Sequence, residues 1–274
     1  MYHFADDVGA TRLPRPSWGL TLLEPVRLPI ELSWSLAIDR LAPDSDLGEG
    51  RPVLVLPGFS ADDFMTGRLR AHLTKHGFRV HGWGLGRNHG LTDQLVDGLL
   101  ERFDELAVRH GSTVSVVGWS FGGLLARWLA HQRSDRVRQV VCLGSPWRAE
   151  GEITRTTPLF ERAARRHGLS ARARDIVAEL REPLPVPLTV LWSRTDGIVN
   201  WRGCAVEGPL TENIRVPSSH SGLPSNPLSL AALTDRLAQD DPWHPVPFSW
   251  RTALRTLAPR RPLPLRRSRA EATR

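Results

Sequence analysis

Ser120 sits at the centre of Gly118-Trp119-Ser120-Phe121-Gly122, a G-x-S-x-G pattern. The pattern joins a β-branched apolar run, Thr113 to Val117, to a segment with helical apolar spacing at Leu124, Leu125, Trp128 and Leu129. A strand that turns at once into a helix forces the central serine into a strained backbone conformation. Small residues two positions either side keep the neighbouring atoms from colliding. The helix N-terminus then aims its dipole and free N–H groups at the place where negative charge would develop. A serine so held is suited to nucleophilic attack. The plain alternative is a glycine-rich connection in which Ser120 is only a helix N-cap.

A serine hydroxyl is a poor nucleophile at neutral pH and needs an adjacent base, itself oriented by a third group. After such an elbow the partners follow in the order acid, then histidine, each on a loop at the carboxyl end of a strand. Asp196, in Ser193-Arg-Thr-Asp-Gly-Ile-Val199, comes directly after an apolar run ending at Trp192. His220, in Pro217-Ser-Ser-His-Ser-Gly-Leu223, follows the short run Ile214–Val216. Asp196 would fix the imidazole tautomer, and His220 would take the serine proton and return it to the leaving group. The other slot for the acid reads Gly144-Ser145-Pro146 and carries no carboxylate. His244 is flanked by prolines with no strand before it, His81 lies within a strand, and His76, His110 and His131 fall at or near helix ends.

Two backbone donors are expected to meet an oxyanion: the N–H of Phe121 and that of Phe59, with Gly58 allowing close approach. A plain loop start at Phe59-Ser60 is the competing reading. Trp119, Trp147, Phe64 and Leu223 are the substrate-binding candidates, on loops expected to converge on Ser120. An aromatic, apolar pocket would favour lipophilic esters. For any one of these side chains, core packing is the alternative.

The elements that must position these groups read as alternating strands and helices. Pro52–Leu56, Phe78–Trp83, Thr113–Val117, Val137–Leu143, Pro187–Trp192 and Ile214–Val216 are the strand candidates. Helical patterns lie after Ser60, over Leu91–Arg109, after the elbow and over Leu228–Leu237. Such alternation predicts an α/β fold, a mainly parallel sheet of about six strands flanked by helices. Residues 148–182 interrupt the rhythm with two helical stretches, read as a small cap over the carboxyl ends of the strands. Leu20–Leu41 has helix-like apolar spacing broken by Pro25 and Pro29, which predicts a kinked or late-starting helix lying on the body. The divisions expected are a helical extension over 1–50, the main domain over 51–250 and a basic tail without fixed structure over 251–274.

The elbow, Leu56-Pro-Gly-Phe59, Leu143-Gly-Ser-Pro146, Thr195-Asp-Gly-Ile-Val199 and Ser219-His-Ser-Gly-Leu223 together resemble the α/β-hydrolase superfamily, most closely its bacterial esterase and triacylglycerol-lipase branch. The resemblance covers residues 50–240 and implies a sheet beginning at what that fold counts as its third strand. The chain departs from it at Pro57-Gly58, where such lipases often have His-Gly, and at Trp147, where a histidine is expected.

The chain has 274 residues, 41% hydrophobic and 24% charged, which is ordinary for a globular protein. Two cysteines are too few for a disulfide framework, and Cys142 reads as a buried free thiol. Residues 251–274 hold eight arginines against one glutamate, which accounts for the whole net charge of +7. This tail could touch anionic membrane lipid peripherally; a solvated terminus is the plain reading, and no specific nucleic-acid binding is expected. The acidic N-terminus does not read as a signal peptide and no run reaches membrane-span length, so a cytoplasmic location is expected. No metal-ligand spacing appears and no cofactor is expected. Gly84-Leu-Gly-Arg-Asn-His-Gly90 fails as a dinucleotide loop, its third glycine being one residue late; Arg87 and Asn88 read as holding loop geometry. The leading expectation is a serine carboxylic-ester hydrolase acting on lipophilic small-molecule or lipid esters through an acyl-enzyme. An acyltransferase with the same three residues and a non-catalytic binding scaffold are the alternatives.

Overall fold

The computed structural model describes residues 13–42, 44–146, 154–240 and 247–255. Strands β1 (Pro52–Leu56), β2 (Arg79–Gly82), β3 (Val114–Trp119), β4 (Val137–Leu143), β5 (Leu188–Trp192) and β6 (Thr211–Arg215) form one sheet in the order β2-β1-β3-β4-β5-β6. Every neighbouring pair is parallel. Both faces of a parallel sheet are covered, which is why β1 and β3 are apolar without alternation and buried throughout. Successive side chains still point to opposite faces. Leu54, Val116 and Val140 enter one apolar core, while Val53, Val117 and Val141 enter the other.

Helices α3 (Asp93–His110) and α4 (Phe121–Gln132) cover the first face, with Leu99, Phe103, Leu125 and Leu129 fully buried there. Helices α2 (Gly67–Lys75) and α7 (Pro227–Leu237) cover the second. Two short helices, α5 (Thr157–His167) and α6 (Ala173–Glu179), occupy the expected interruption between β4 and β5. The chain leaves β1 towards β2 on one side and returns to β3 on the other. The strand order therefore reverses between β1 and β3, whose carboxyl ends border the crevice where ligands bind in such sheets. Ser120 and the Pro57-Gly58-Phe59 loop stand on either side of it.

Three expectations need correction. Helix α1 (Trp18–Leu41) starts before Leu20 and carries both prolines inside it, and its buried residues are Glu24, Glu31 and Ser35. The apolar residues Leu23, Val26, Ile30 and Leu36, which supplied the pattern, are exposed. Strand β6 begins at Thr211, ahead of the apolar run: on this edge strand Asn213 is exposed and Glu212 is taken up by Arg236 and the Phe248 N–H, so neither gives a hydrophobic signal. Residues 251–255 of the expected tail belong to helix α8 (Trp250–Arg255), which packs on α7 and buries Ala253. The rest of the tail lies outside the described residues.

Candidate active site

β3 delivers Ser120 at its carboxyl end and α4 begins at the next residue. Ser120 has φ +54° and ψ −123°, a left-handed backbone that costs a non-glycine residue about 1–3 kcal/mol. The close approach around it explains the flanking glycines. A Cβ on Gly118 would lie 2.3 Å from the carbonyl oxygen of Gly122, and one on Gly122 would lie 2.4 Å from that of Leu56. The Ser120 side chain makes no capping hydrogen bond to α4, so its hydroxyl is free to point elsewhere.

It points at His220. The Ser120 Oγ lies 3.0 Å from His220 Nε2, and His220 Nδ1 lies 2.7 Å from Asp196 Oδ2. The other carboxylate oxygen, Asp196 Oδ1, accepts from the backbone N–H groups of Ile198 at 2.8 Å and Val199 at 2.7 Å. These bonds hold the carboxylate and aim it at the imidazole. The three side chains come from the ends of β3, β5 and β6, as the spacing predicts, and Asp196 and His220 are both buried. Burial alone would lower the pKa of His220. The charge and hydrogen bond of Asp196, with the charge of Glu24, outweigh burial and raise it above the ordinary histidine value.

Gly144 contributes space to this pair. Its φ is +58°, and a Cβ there would stand 3.2 Å from Asp196 Oδ2, 3.3 Å from His220 Nδ1 and 2.5 Å from a Leu223 methyl. The slot without a carboxylate is therefore filled by a residue with no side chain at all. Sequence reasoning noticed the missing acid and not the room it leaves.

The Pro57-Gly58-Phe59 loop lies against the elbow: a Cβ on Gly58 would be 3.2 Å from the Ser120 Cβ. Asn88, fully buried, anchors this loop by donating from Nδ2 to the Pro57 carbonyl at 2.9 Å while its Oδ1 accepts from Gly90 N–H at 3.0 Å. The backbone of Asn88 also pairs with Ser60 and Ala61. Phe121 occupies the first turn of α4, where an N–H has no partner within the helix. The rings of Phe59 and Phe121 are 6.3 Å apart, and Phe160 from α5 lies 5.5 Å from the first and 5.4 Å from the second. All three are half-buried, which gives an apolar wall beside Ser120 with one member from α5. No motif marked Phe160.

Among the described substrate-binding candidates, Trp119 and Leu223 enter the same core and Phe64 stands apart from them. Trp119 is buried in the core, donates from Nε1 to the His220 carbonyl at 3.1 Å and lies 5.9 Å from the imidazole between ring centroids. Leu223 is fully buried in the same core. Phe64 is 87% exposed, on the turn before α2. Trp147 lies outside the described residues. Burial also pushes the Cys142 thiol up to about 11, so it is an inert core residue.

A family model described as alpha/beta hydrolase fold matches residues 51–188, half of the chain. The chain belongs to this family. Among solved structures it is similar to Aspergillus fumigatus lipase B, with a TM-score of 0.58 at 17% identity over 79% of this chain. It spans 59% of that lipase's length. It is also similar to a Bacillus licheniformis lipase in its mature form, with a TM-score of 0.53 at 15% identity over 69% of this chain and 92% of the other. A Paleococcus ferrophilus monoacylglycerol lipase gives 0.51 at 16% identity, over 69% and 96%. At these identities the likeness is one of fold. Comparison with curated proteins finds no match.

Proposed function

We propose that this alpha/beta hydrolase-fold protein is a serine ester hydrolase that works through an acyl-enzyme on Ser120. The observation that carries the reading is the unbroken relay from Ser120 Oγ through His220 to Asp196, at 3.0 and 2.7 Å, beneath a serine held at positive φ. In this reading His220 Nε2 takes the hydroxyl proton as Oγ attacks the ester carbonyl carbon, and Asp196 stabilises the imidazolium across Nδ1. The N–H groups of Phe59 and Phe121 receive the oxyanion of the tetrahedral intermediate. When it collapses, the C–O bond to the alcohol breaks and the imidazolium gives its proton to the departing oxygen. Water then repeats the sequence on the acyl-enzyme and frees the acid.

The wall formed by Phe59, Phe121 and Phe160 favours an apolar acyl chain and supports lipophilic esters as the substrate class. The three lipases of similar fold are consistent with that class.

The test is turnover of a chain-length series of p-nitrophenyl esters by the wild type and Ser120→Ala, with fluorophosphonate labelling alongside. Turnover and labelling that both vanish in the variant are expected. Labelling without turnover would point to an acyl acceptor other than water. A wild type that shows neither, with every ester tried, would end the hydrolase reading.

A further inference from the structure

Helix α1 is turned the unusual way round. A surface helix ordinarily buries its apolar stripe and leaves its charges to water. Here Trp18, Leu22, Val26, Ile30 and Trp34 face solvent, while Glu24 and Glu31 are 4% and 7% exposed. Burying a carboxylate is costly unless donors replace the lost water. Glu24 finds them on both loops that carry Asp196 and His220, and Glu31 finds them on the His220 loop.

Glu24 Oε1 accepts from Gly197 N–H and from His220 N–H, each at 2.8 Å, and Oε2 accepts from Ser221 N–H at 2.9 Å. One side chain thus joins the residue after the acid to the histidine itself. Seven residues on, Glu31 accepts from Ser219 N–H at 2.8 Å, the Ser218 hydroxyl at 2.6 Å and Asn226 Nδ2 at 3.1 Å. Arg27, between them on the same face, donates to the Thr195 carbonyl at 2.6 Å and pairs with Glu31 at 3.3 Å. The loops have been emptied to let the helix in. A Cβ on Gly197 would lie 2.5 Å from the Leu20 carbonyl oxygen, and one on Gly222 would lie 1.9 Å from Glu31 Oε2.

We infer that Glu24 and Glu31 are positioning residues, a pair of buried carboxylates by which α1 clamps the Asp196 and His220 loops in register with Ser120. The role rests on the serine hydrolase reading for its catalytic consequence, though not for the clamp itself. The ionisable groups facing His220 are Asp196 from the loop after β5 and Glu24 from α1. Arg27 and Glu31 stand one step away, against Thr195 and Ser218–Ser219.

The experiment compares wild type, Glu24→Gln, Glu31→Gln and Gly197→Ala. Thermal unfolding checks that each folds, NMR follows the His220 imidazole titration and the exchange of the Gly197, His220 and Ser221 amides, and kcat and KM are taken across pH on a soluble butyrate ester. Glutamine keeps the shape of Glu24 and turns an N–H towards a backbone donor. It is expected to speed exchange at those amides, to move the His220 midpoint down through loss of a negative charge, and to lower kcat about ten- to hundredfold. KM should stay within about twofold. Glu31→Gln should lower kcat with a smaller movement of the midpoint. Gly197→Ala keeps both carboxylates and displaces the helix, so it tests the clamp even if Glu24→Gln does not fold. Folded Glu24→Gln and Gly197→Ala proteins with wild-type exchange, midpoint and kcat would overturn the inference. Loss of the serine reading would show separately, as a wild type with no Ser120 labelling; the titration and exchange data would still decide the clamp.

Discussion

The indole Nε1–H of Trp119 donates to the carbonyl oxygen of His220 at 3.1 Å. The residue before the serine thus holds the loop of the residue that faces the serine, and strand β3 sets the position of Ser120 and His220 at once. Replacing Trp119 with Phe keeps a ring in the core and removes the donor. It removes one of the two hydrogen bonds to that carbonyl, which keeps the Leu223 N–H at 3.3 Å, at a cost of about 0.5–1.5 kcal/mol. The expected outcome is a lower unfolding midpoint in denaturant and a kcat reduced about tenfold, with KM little changed. A variant with wild-type kcat would show that Glu24 and the other loop contacts suffice.

Gly144→Ala tests the space beside the Asp196–His220 pair. The new methyl would have to occupy a left-handed backbone position and displace Leu223 or the pair itself. A stability loss of about 1–3 kcal/mol from the backbone is expected. Activity should fall further than stability predicts, because the 2.7 Å Asp196–His220 contact is in the path of the methyl. Equilibrium unfolding and kcat at a temperature where the variant is fully folded separate the two effects.

Phe160→Ala tests the apolar wall. Phe160 is half-buried and belongs to the short helix α5, so its loss should change stability modestly. Opening the space beside Phe59 and Phe121 should raise kcat/KM for long acyl esters relative to acetate by about tenfold, a shift of about 1.4 kcal/mol in relative transition-state binding. An unchanged chain-length profile would place the acyl chain elsewhere.

The pH dependence of activity and of stability should differ in origin. In the proposed mechanism activity needs a neutral His220, whose pKa is raised above 6.5 by Asp196 and Glu24 against the effect of burial. The acid limb of kcat/KM is therefore expected above the ordinary histidine value, and Asp196→Asn should move it down and cut kcat by about 10³–10⁴.

Acid stability should follow the contact between α1 and α2. Burial lowers His76 to about 4 and also lowers the pKa of His72, which bonds Asp39 at 3.0 Å and Thr234 at 3.1 Å. Burial alone would raise Asp39, but hydrogen bonds and charge from His72 and Arg68 hold it at about 2. Both histidines bind protons more readily in the unfolded chain, so stability is full above pH 6.5 and falls as pH drops towards 4. The Asp39 contribution is present above 3.8 and is lost as pH falls through about 2. Denaturant unfolding between pH 8 and pH 3.5 checks the sign; flat stability over that range would contradict it.

The sequence by itself determined the elbow, because a strand, a tight turn and a helix are local and the close approach of Gly118 to Gly122 falls within five positions, although the glycine at 122 is also required by the Leu56 carbonyl on β1. It also determined the order and place of Asp196 and His220, since each follows a strand of a parallel sheet and such loops open at one edge. The supporting role of Asn88 was legible as loop geometry without its partner, the Pro57 carbonyl 31 residues away. What only the tertiary structure decided is which side chains meet across the chain. Phe160 reaches the wall from an insertion, Gly144 is spared a side chain for residues 52 and 76 positions on, and Trp119 supports a loop 101 positions away. Helix α1 is the sharpest case. Its apolar spacing points one face at the body, yet Glu24 and Glu31 face inward because two distant loops offer the N–H groups that make burying a carboxylate tolerable. Hydrophobic pattern records what a segment does alone; the donors that reverse it exist only after the chain has folded.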